Sequence, residues 1–310
     1  MELSLLLAEQ IVSLFLYVAV GYVCMKIALF KVEDSKIVSN IVVYVCNPCM
    51  IIYSFQIELT PDKMKGLLIA VIAAIIAHIL MIAGTRVIGD VTKLNSIERA
   101  SLTYTNAGNL IIPLVAAVLG PEYVFYTVAY NVTQTVLMWT HMVSLLADGE
   151  KKSLKEILFS ANIVAVIIGF ILFVLKFHIP TIVNTCLEGL GTMIGPLGMF
   201  VLGMVLGNVD FKHVFRQKKP YFICLARLIL YPAVSAVLCA MAVRAGIHPD
   251  AERVLLVVFL ATAAPVAVMV TQICQIYDKD SKYASAINVM SIIFCIVTMP
   301  VMTMFYEMLV

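Results

Sequence analysis

The feature that most constrains this fold is a series of long apolar stretches separated by short charged loops. A hydrocarbon core of about 30 Å needs roughly 20 apolar residues in a helix, and these stretches are that long. Their backbone groups must be satisfied within the segment, which favours helices over strands. The sequence predicts ten transmembrane helices, at residues 8–28, 36–57, 64–88, 97–119, 122–146, 155–176, 181–207, 220–243, 251–275 and 283–307.

The composition supports an all-α polytopic membrane protein. Hydrophobic residues make up 62% of the chain and charged residues only 13%, whereas soluble domains carry about 25% charged residues. A net charge of +2 gives no reason to expect nucleic-acid binding. We therefore expect a multi-pass protein of the plasma (inner) membrane whose surroundings are the lipid bilayer.

The distribution of basic residues predicts the orientation. One side of the membrane would carry fifteen of them: Lys26, Lys31, Lys36, Arg86, Lys93, Arg99, Lys151, Lys152, Lys155, Lys212, Arg216, Lys218, Lys219, Lys279 and Lys282. The other side would carry five: Lys63, Lys65, Lys176, Arg244 and Arg253. Since basic loops stay in the cytoplasm, both termini are predicted to lie outside.

The fourth stretch contains an unusual run, residues 105–113, with two asparagines, a glycine and a proline in an apolar setting. Pro113 cannot donate a backbone hydrogen bond, and Gly108 weakens a helix further. Freed backbone groups at membrane depth are tolerated only against protein or a wet cavity. The run predicts either a broken helix that lines a site or a kinked helix whose amides bond to neighbouring helices.

Two proline breaks recur in the same order in the two halves of the chain. Pro48 and Pro196 are 148 residues apart (196 − 48), and Pro113 and Pro265 are 152 apart (265 − 113). Five helices per half would force the halves, residues 1–150 and 151–310, to face opposite ways. Inverted repeats with interrupted helices are typical of secondary transporters that bind substrate near the midplane.

Polar residues within the fourth, fifth, eighth, ninth and tenth stretches form the candidate site, because amides and hydroxyls from these helices could converge. The candidate substrate-binding residues are Thr105, Asn106, Asn109, Pro113, Asn131, Gln134, Arg227, Thr262, Pro265 and Asn288. The candidate helix breaks are Pro48, Gly108, Pro113, Pro196 and Pro265.

Arg227 is the basic residue deepest in a stretch, where a charge should face the protein interior and be partnered. It would either attract an anionic substrate or form a structural pair or hydrogen bonds to freed carbonyls. Glu188 is the carboxylate interpreted as lying at depth. The lack of acids around the breaks at Pro113 and Pro265 favours an anion held by half-helix N-termini. Sodium or proton coupling stays open, because carbonyls and hydroxyls also bind sodium.

Enzyme and metal functions are not indicated. The chain lacks the common nucleotide-binding, zinc-protease and serine-hydrolase motifs, and its histidines have no metal-ligand spacing. Cys46 and Cys49 have CxxC spacing within an apolar stretch, where buried structural cysteine is the favoured interpretation. No resident cofactor is expected.

Five motifs follow one another along the chain: Asn106–Leu114 with Gly120; Pro196–Phe200 with Leu202 and Gly203; Arg227 through Pro232; Ala264–Ala267; and Tyr277, Ser291, Thr298 and Pro300. In these motifs the chain resembles, nearly end to end, the auxin efflux carrier family, which includes plant auxin exporters and bacterial permeases.

The resemblance implies two inverted five-helix repeats whose fourth and ninth helices cross as broken helices. It also implies a scaffold domain of spans 1, 2, 6 and 7 that dimerises, and a transport domain of spans 3–5 and 8–10 that moves as an elevator. Asn106 matches a family asparagine that helps bind the substrate carboxylate. A second such asparagine has no match around Cys186–Glu188, which favours malate or malonate over auxin.

We therefore expect a secondary carrier of a small organic anion, a carboxylate, that works as a homodimer. A transporter-like membrane sensor and a channel are the alternatives. Saturable uptake that depends on Asn106 would distinguish a carrier from both, since a sensor moves no substrate and a channel does not saturate.

Overall fold

The described helices account for all ten apolar stretches. The structure is a computed structural model, and it describes residues 2–56, 58, 60–146, 161–207, 216 and 218–310. In the first half, the helices are α1 (Glu2–Lys26), α2 (Val32–Ile41), α3 (Asn47–Ser54), α4 (Pro61–Thr92), α5 (Ser96–Thr103), α6 (Ile112–Val118), α7 (Pro121–Leu137) and α8 (Val143–Leu146). In the second half they are α9 (Ala161–Val174), α10 (Thr181–Thr192), α11 (Ile194–Leu206), α12 (Lys218–Leu225), α13 (Tyr231–Arg244), α14 (Ala251–Ala263), α15 (Val268–Ile276) and α16 (Ser281–Leu309).

In the described part of the chain, four wider π-helical turns lie between consecutive helices: Val42–Cys46, Ala107–Ile111, Met138–Met142 and Ala226–Leu230. The described residues form no strand, so the predicted all-α class is confirmed for them. Within the residues that the structure describes, five helical stretches are long and apolar enough to cross a membrane: Glu33–Ser54, Pro61–Thr92, Thr181–Leu206, Lys218–Arg244 and Ser281–Leu309. The count of ten spans and the inverted repeat stay predictions.

Some sequence-based predictions concern parts of the chain outside the described residues. These are the start of the sixth stretch at 155–160, the boundary between the proposed halves at 150–151, and the basic residues Lys151, Lys152, Lys155 and Lys212.

Local sequence explains where several helices begin. Thr60 caps α4, because its hydroxyl accepts from the Lys63 N–H at 3.2 Å and Pro61 follows as the first helical residue. Asn95 and Glu98 form a capping box at α5, in which each side chain accepts a hydrogen bond from the other residue's backbone. These caps fix the ends of the helices that lead toward the candidate site.

Glycines permit the closest helix contact described here, between α1 and α11. A Cβ at Gly203 would collide with the Val18 carbonyl, and one at Gly21 would collide with the Phe200 carbonyl. Small residues let backbones approach in this way in membrane proteins, where packing drives helix association. The two helices therefore pack along their backbones.

Helix contacts are extensive within two sets of elements, and α1 also packs across them against α6 and α16. The elements of the first, second, sixth and seventh stretches pack on one another, with α3 against α9 and α10. Elsewhere α4 packs against α7 and α14, and α13 packs against α14 and α16. The division into scaffold and transport domains that the resemblance implies therefore stays a prediction.

The prediction of a helix break at Pro48 is wrong. Cys46 and Asn47 both have right-handed helical dihedrals, and the helix continues from the π turn Val42–Cys46 into α3. The wider turn shifts the hydrogen-bond register, so the proline's missing N–H is accommodated without a break. At Pro196, by contrast, one residue, Met193, interrupts the helix between α10 and α11.

Candidate functional site

The helix of the fourth stretch breaks before the residues that were predicted to break it. α5 ends at Thr103, Tyr104 is extended (φ −99°, ψ 138°), and the helix resumes at Ala107 after Asn106 (φ −84°, ψ 44°). Gly108 lies in the π turn and Pro113 in the first turn of α6. Their prediction as break points is therefore wrong, because the helix continues from the π turn into α6 and the wider turn accommodates the missing N–H of Pro113, as it does at Pro48.

The helix of the ninth stretch breaks at its proline. α14 ends at Ala263, and α15 begins at Val268. Ala264 and Ala267 have extended dihedrals (ψ 153° and 130°), and Pro265 stands between them. Proline favours an extended residue before it, which accounts for the extended backbone at Ala264.

The two breaks cross and pair with each other. Thr105 and Val266 form an isolated antiparallel bridge. The Asn106 N–H donates to the Pro265 carbonyl at 2.8 Å, and the Ala267 N–H donates to the Tyr104 carbonyl at 3.0 Å. Backbone groups freed by each break are thus satisfied by the other, as the low dielectric of a membrane requires.

Amides from neighbouring helices satisfy the remaining backbone groups of the bridge. Gln134 Oε1 accepts from the Thr105 N–H at 3.0 Å and from its hydroxyl at 2.9 Å, while Gln134 Nε2 donates to the Thr105 carbonyl at 2.9 Å. Asn288 Nδ2 donates to the Val266 carbonyl at 2.7 Å, and Ser291 Oγ accepts from the Val266 N–H at 3.0 Å. Gln134 and Asn288 therefore support the crossing backbone.

Arg227 lies on the π turn Ala226–Leu230 and is fully buried beside the crossing. Its Nη2 donates to the carbonyls of Thr262 at 2.5 Å and Ala264 at 3.3 Å, and its Nη1 contacts Met81 Sδ at 3.2 Å. These carbonyls belong to the C-terminal end of α14, where a cation is favoured. The structure thus shows the second interpretation of Arg227, hydrogen bonds to carbonyls freed by a broken helix.

Asn106 precedes the resumed half-helix, and its side chain has no hydrogen-bond partner among the residues that the structure describes. It is 95% buried. Ala267, which precedes α15, likewise provides no side-chain cap. Two half-helix N-termini therefore lie on either side of the Thr105–Val266 bridge, and neither has a side-chain cap in the described part of the chain. Because the first N–H groups of a helix have no partner within that helix, these N–H groups are available to a ligand.

The other predicted site residues contribute in different ways. Thr262 is not a free ligand, since its hydroxyl donates to the Phe259 carbonyl at 2.6 Å. Asn131 is half-buried on α7, and its Oδ1 would lie 3.9 Å from a Cβ at Gly108. The side chains of Asn109 and Pro113 lie outside what the structure describes.

Two polar groups near the crossing were not selected as site residues from the sequence. His78 on α4 and Tyr130 on α7 are buried, with ring centroids 4.5 Å apart. His78 Nε2, Tyr130 Oη and Arg227 Nε have no hydrogen-bond partner among the described residues. A histidine within an apolar stretch is uncommon, so the sequence alone could have indicated His78 as a site residue. A single tyrosine is too common in such stretches to have indicated Tyr130.

The carboxylates of the candidate helices are placed differently from the sequence-based interpretation. Glu188 accepts a hydrogen bond from Tyr53 at 2.8 Å and is exposed, whereas Glu98 is 1% exposed. Glu98 accepts from Tyr283 at 2.7 Å and lies 3.3 Å from Lys219. The capping sequence Asn95-x-x-Glu98 is the sequence feature from which the position of this carboxylate, at the start of α5, could have been predicted.

Comparison with known proteins gives a match over nearly the whole chain. The family model described as membrane transport protein matches residues 6–303. No curated protein matches the sequence.

Proposed function

Because this chain belongs to the auxin efflux carrier family of membrane transport proteins, we propose that it is a secondary carrier of a small organic anion. The anion would be a carboxylate that binds where the two broken helices cross. Asn106 and the N–H groups of the resumed half-helices would hold it, and elevator movement of the helices around the crossing would carry it across.

The observation that carries this proposal is the distribution of charge at the crossing. Helix N-termini bear partial positive charge and C-termini partial negative charge. Arg227 already binds the carbonyls of Thr262 and Ala264 at the C-terminal end of α14. The guanidinium of Arg227 therefore compensates the negative C-terminal end of α14. The positive N-termini at Ala107 and Val268 then give the crossing a net attraction for an anion.

Asn106 suits recognition of a carboxylate because of where it lies. Its backbone N–H is used by the Pro265 carbonyl, which fixes the residue at the bridge. Its side-chain amide has no partner among the described residues and can donate to a carboxylate oxygen. Gln134 and Asn288, by comparison, use their amides on the crossing backbone.

The first experiment identifies the anion by thermal stabilisation of the purified protein with malate, malonate, other mono- and dicarboxylates and the auxin indole-3-acetate. A ligand at about 100 times its dissociation constant should add roughly 2.7 kcal/mol to the free energy of unfolding. The ligands that stabilise are then tested as radiolabelled substrates in proteoliposomes.

Asn106→Asp tests the site, because it keeps the size of the side chain but adds a negative charge where the anion would bind. We expect saturable uptake in the native protein and a loss of about 10- to 100-fold in kcat/KM for Asn106→Asp and Asn106→Ala, as for removal of a hydrogen bond to a charged group. Asn40→Asp, at an exposed position on α2, is the matched control and should transport normally.

Three results would contradict the proposal. Unchanged anion uptake by Asn106→Asp would remove Asn106 from the site. Uptake that rises linearly with anion concentration would indicate a channel. Binding without any uptake or exchange would indicate a sensor.

A further inference from the structure

Behind the crossing, three helices bring together three buried side chains that each keep one unpaired polar atom. His78 comes from α4, Tyr130 from α7 and Arg227 from the π turn before α13, and their exposures are 1%, 0% and 0%. The unpaired atoms are the imidazole Nε2, the phenol Oη and the guanidinium Nε. Buried polar atoms are rarely left unpaired. Tyr130 and Arg227 lie close enough to interact with each other, which leaves His78 Nε2 as the atom of the cluster that could bind a further group.

The hydrogen bond of His78 fixes which ring nitrogen is available. His78 Nδ1 lies 2.7 Å from the Ala74 carbonyl, which can only accept, so Nδ1 carries a hydrogen. In the neutral imidazole, Nε2 then has a lone pair and no proton. The cluster therefore presents a base at Nε2 in a site closed to bulk water.

The charges around His78 limit what this base can bind. Tyr130 faces the ring from α7 and Arg227 from the π turn. Tyr231 on α13 is already bonded to Thr85 at 2.7 Å. The charged residues of α5 and α14 lie within the first four residues of each helix, so the ends of these helices that lead to the breaks carry no charge. No carboxylate faces the cluster among the described residues.

Sodium is therefore disfavoured at this cluster. A metal cation needs several oxygen ligands, preferably with negative charge, and here it would meet a guanidinium within the same group. A proton needs only one lone pair, and His78 Nε2 supplies it.

We propose that His78 is the proton-binding residue that couples transport of the anion to a proton, which deepens the proposed function and rests on it. When the carrier opens to one side and water reaches the cluster, the Nε2 lone pair takes up a proton from the solvent, forming an N–H bond and an imidazolium. That proton returns to water on the opposite side when the anion leaves.

The anion and the proton bind together for an electrostatic reason. A second positive charge beside Arg227 is repelled strongly in a site of low dielectric. A carboxylate at the crossing supplies the compensating charge. The bound anion thus raises the affinity of His78 for a proton by some factor. By linkage, the proton on His78 raises the affinity for the anion by that same factor.

Contacts connect the cluster to both broken helices. Gln134, which lies near the His78 ring, holds the Thr105 backbone next to Asn106. Arg227 holds the carbonyls of Thr262 and Ala264 next to Pro265. A change of charge at His78 is therefore transmitted to the two segments that would hold the anion.

His78→Asn tests the proposal, because the asparagine amide can still donate to the Ala74 carbonyl but carries no titratable Nε2. In sodium-free proteoliposomes with labelled malate or malonate, we expect a pH gradient to drive accumulation by the native protein and replacement of sodium to change nothing. For His78→Asn, accumulation should fall by at least about tenfold. Equilibrium exchange, which needs no net proton movement, should stay within about threefold. His178→Asn, at an exposed position, is the control and should retain both.

The outcomes separate the two proposals. Accumulation driven by sodium, or by no cation gradient, would overturn proton coupling while leaving the anion carrier intact. Absence of anion uptake and exchange in the native protein would overturn both. If His78→Asn does not fold, a pH indicator in weakly buffered solution decides the question on the native protein: about one proton taken up per bound malate supports the proposal, and none overturns it.

Discussion

Single polar residues within the apolar stretches divide into two groups by what their side chains bond. Gln134, Asn288 and Arg227 complete the hydrogen bonding of the two broken backbones. Asn106 stands at the same crossing with its amide unpaired among the described residues. A polar residue at membrane depth thus either supports the fold or is available to a ligand, and its bonding partners decide which.

Gln134→Leu tests the supporting role. It would leave the N–H and carbonyl of Thr105 without side-chain partners in a buried site, at about 1–3 kcal/mol for each unsatisfied group. We expect thermal or denaturant unfolding in detergent to show a loss of about 2–6 kcal/mol in the free energy of unfolding.

Thr135→Val is the control on the same helix, because the Thr135 hydroxyl donates at 2.7 Å to the Asn131 carbonyl, four residues earlier along α7. Its effect should be small. Equal losses for the two variants would show that the Gln134 amide has no special role at the break.

At the level of helices, the position of a break depends on more than the proline. Pro265 lies inside its break, whereas Pro113 lies in the helix that follows one and Pro48 lies in a continuous helix. Each break contains one residue of the antiparallel bridge, Thr105 in the first and Val266 in the second. The partners of each bridge residue come from the other break and from a helix later in the chain. Pairing across helices therefore locates the break.

Packing between α1 and α11 predicts opposite effects for two glycine-to-alanine substitutions. Gly203→Ala would place a Cβ against the Val18 carbonyl and should lower the free energy of unfolding by about 1–3 kcal/mol, as overpacking does. Gly189 on α10 has nothing within 4 Å of such a Cβ. Gly189→Ala should therefore be neutral or stabilise by up to about 1 kcal/mol, because alanine is the better helix former.

Thermal unfolding of the two variants beside the native protein provides the measurement. A stable Gly203→Ala protein would contradict the close backbone contact between α1 and α11.

In the whole molecule, matching contacts relate the two halves. Tyr123 and Tyr283 are the third residues of α7 and α16, and each donates to a carboxylate at the start of a broken helix in the other half, Asp250 at 3.0 Å and Glu98 at 2.7 Å. The tyrosines are 160 residues apart (283 − 123), and the bridge residues Thr105 and Val266 are 161 apart (266 − 105). These offsets agree with each other more closely than with the 152 residues between Pro113 and Pro265, and the inverted repeat stays a prediction.

The orientation of the whole molecule is testable with reporter tags in two loops. A tag after Gly246, between α13 and α14, should react with an impermeant reagent on intact cells. A tag after Lys93, between α4 and α5, should react only after permeabilisation, because that loop belongs to the basic side. The reverse pattern would place both termini in the cytoplasm.

The sequence by itself determined the membrane class and the helical stretches, and it predicted the region of the candidate site. Apolar length and period set the helices, and polar residues in apolar stretches are too costly to occur without a role. Only the tertiary structure decided that Thr105 pairs with Val266, that Gln134, Asn288 and Arg227 bond to the crossing backbone, and that His78 and Tyr130 lie beside Arg227. Such partners lie up to 161 residues apart (Thr105 and Val266), and hydrogen bonds at that separation are set by how helices pack, which local sequence patterns do not specify.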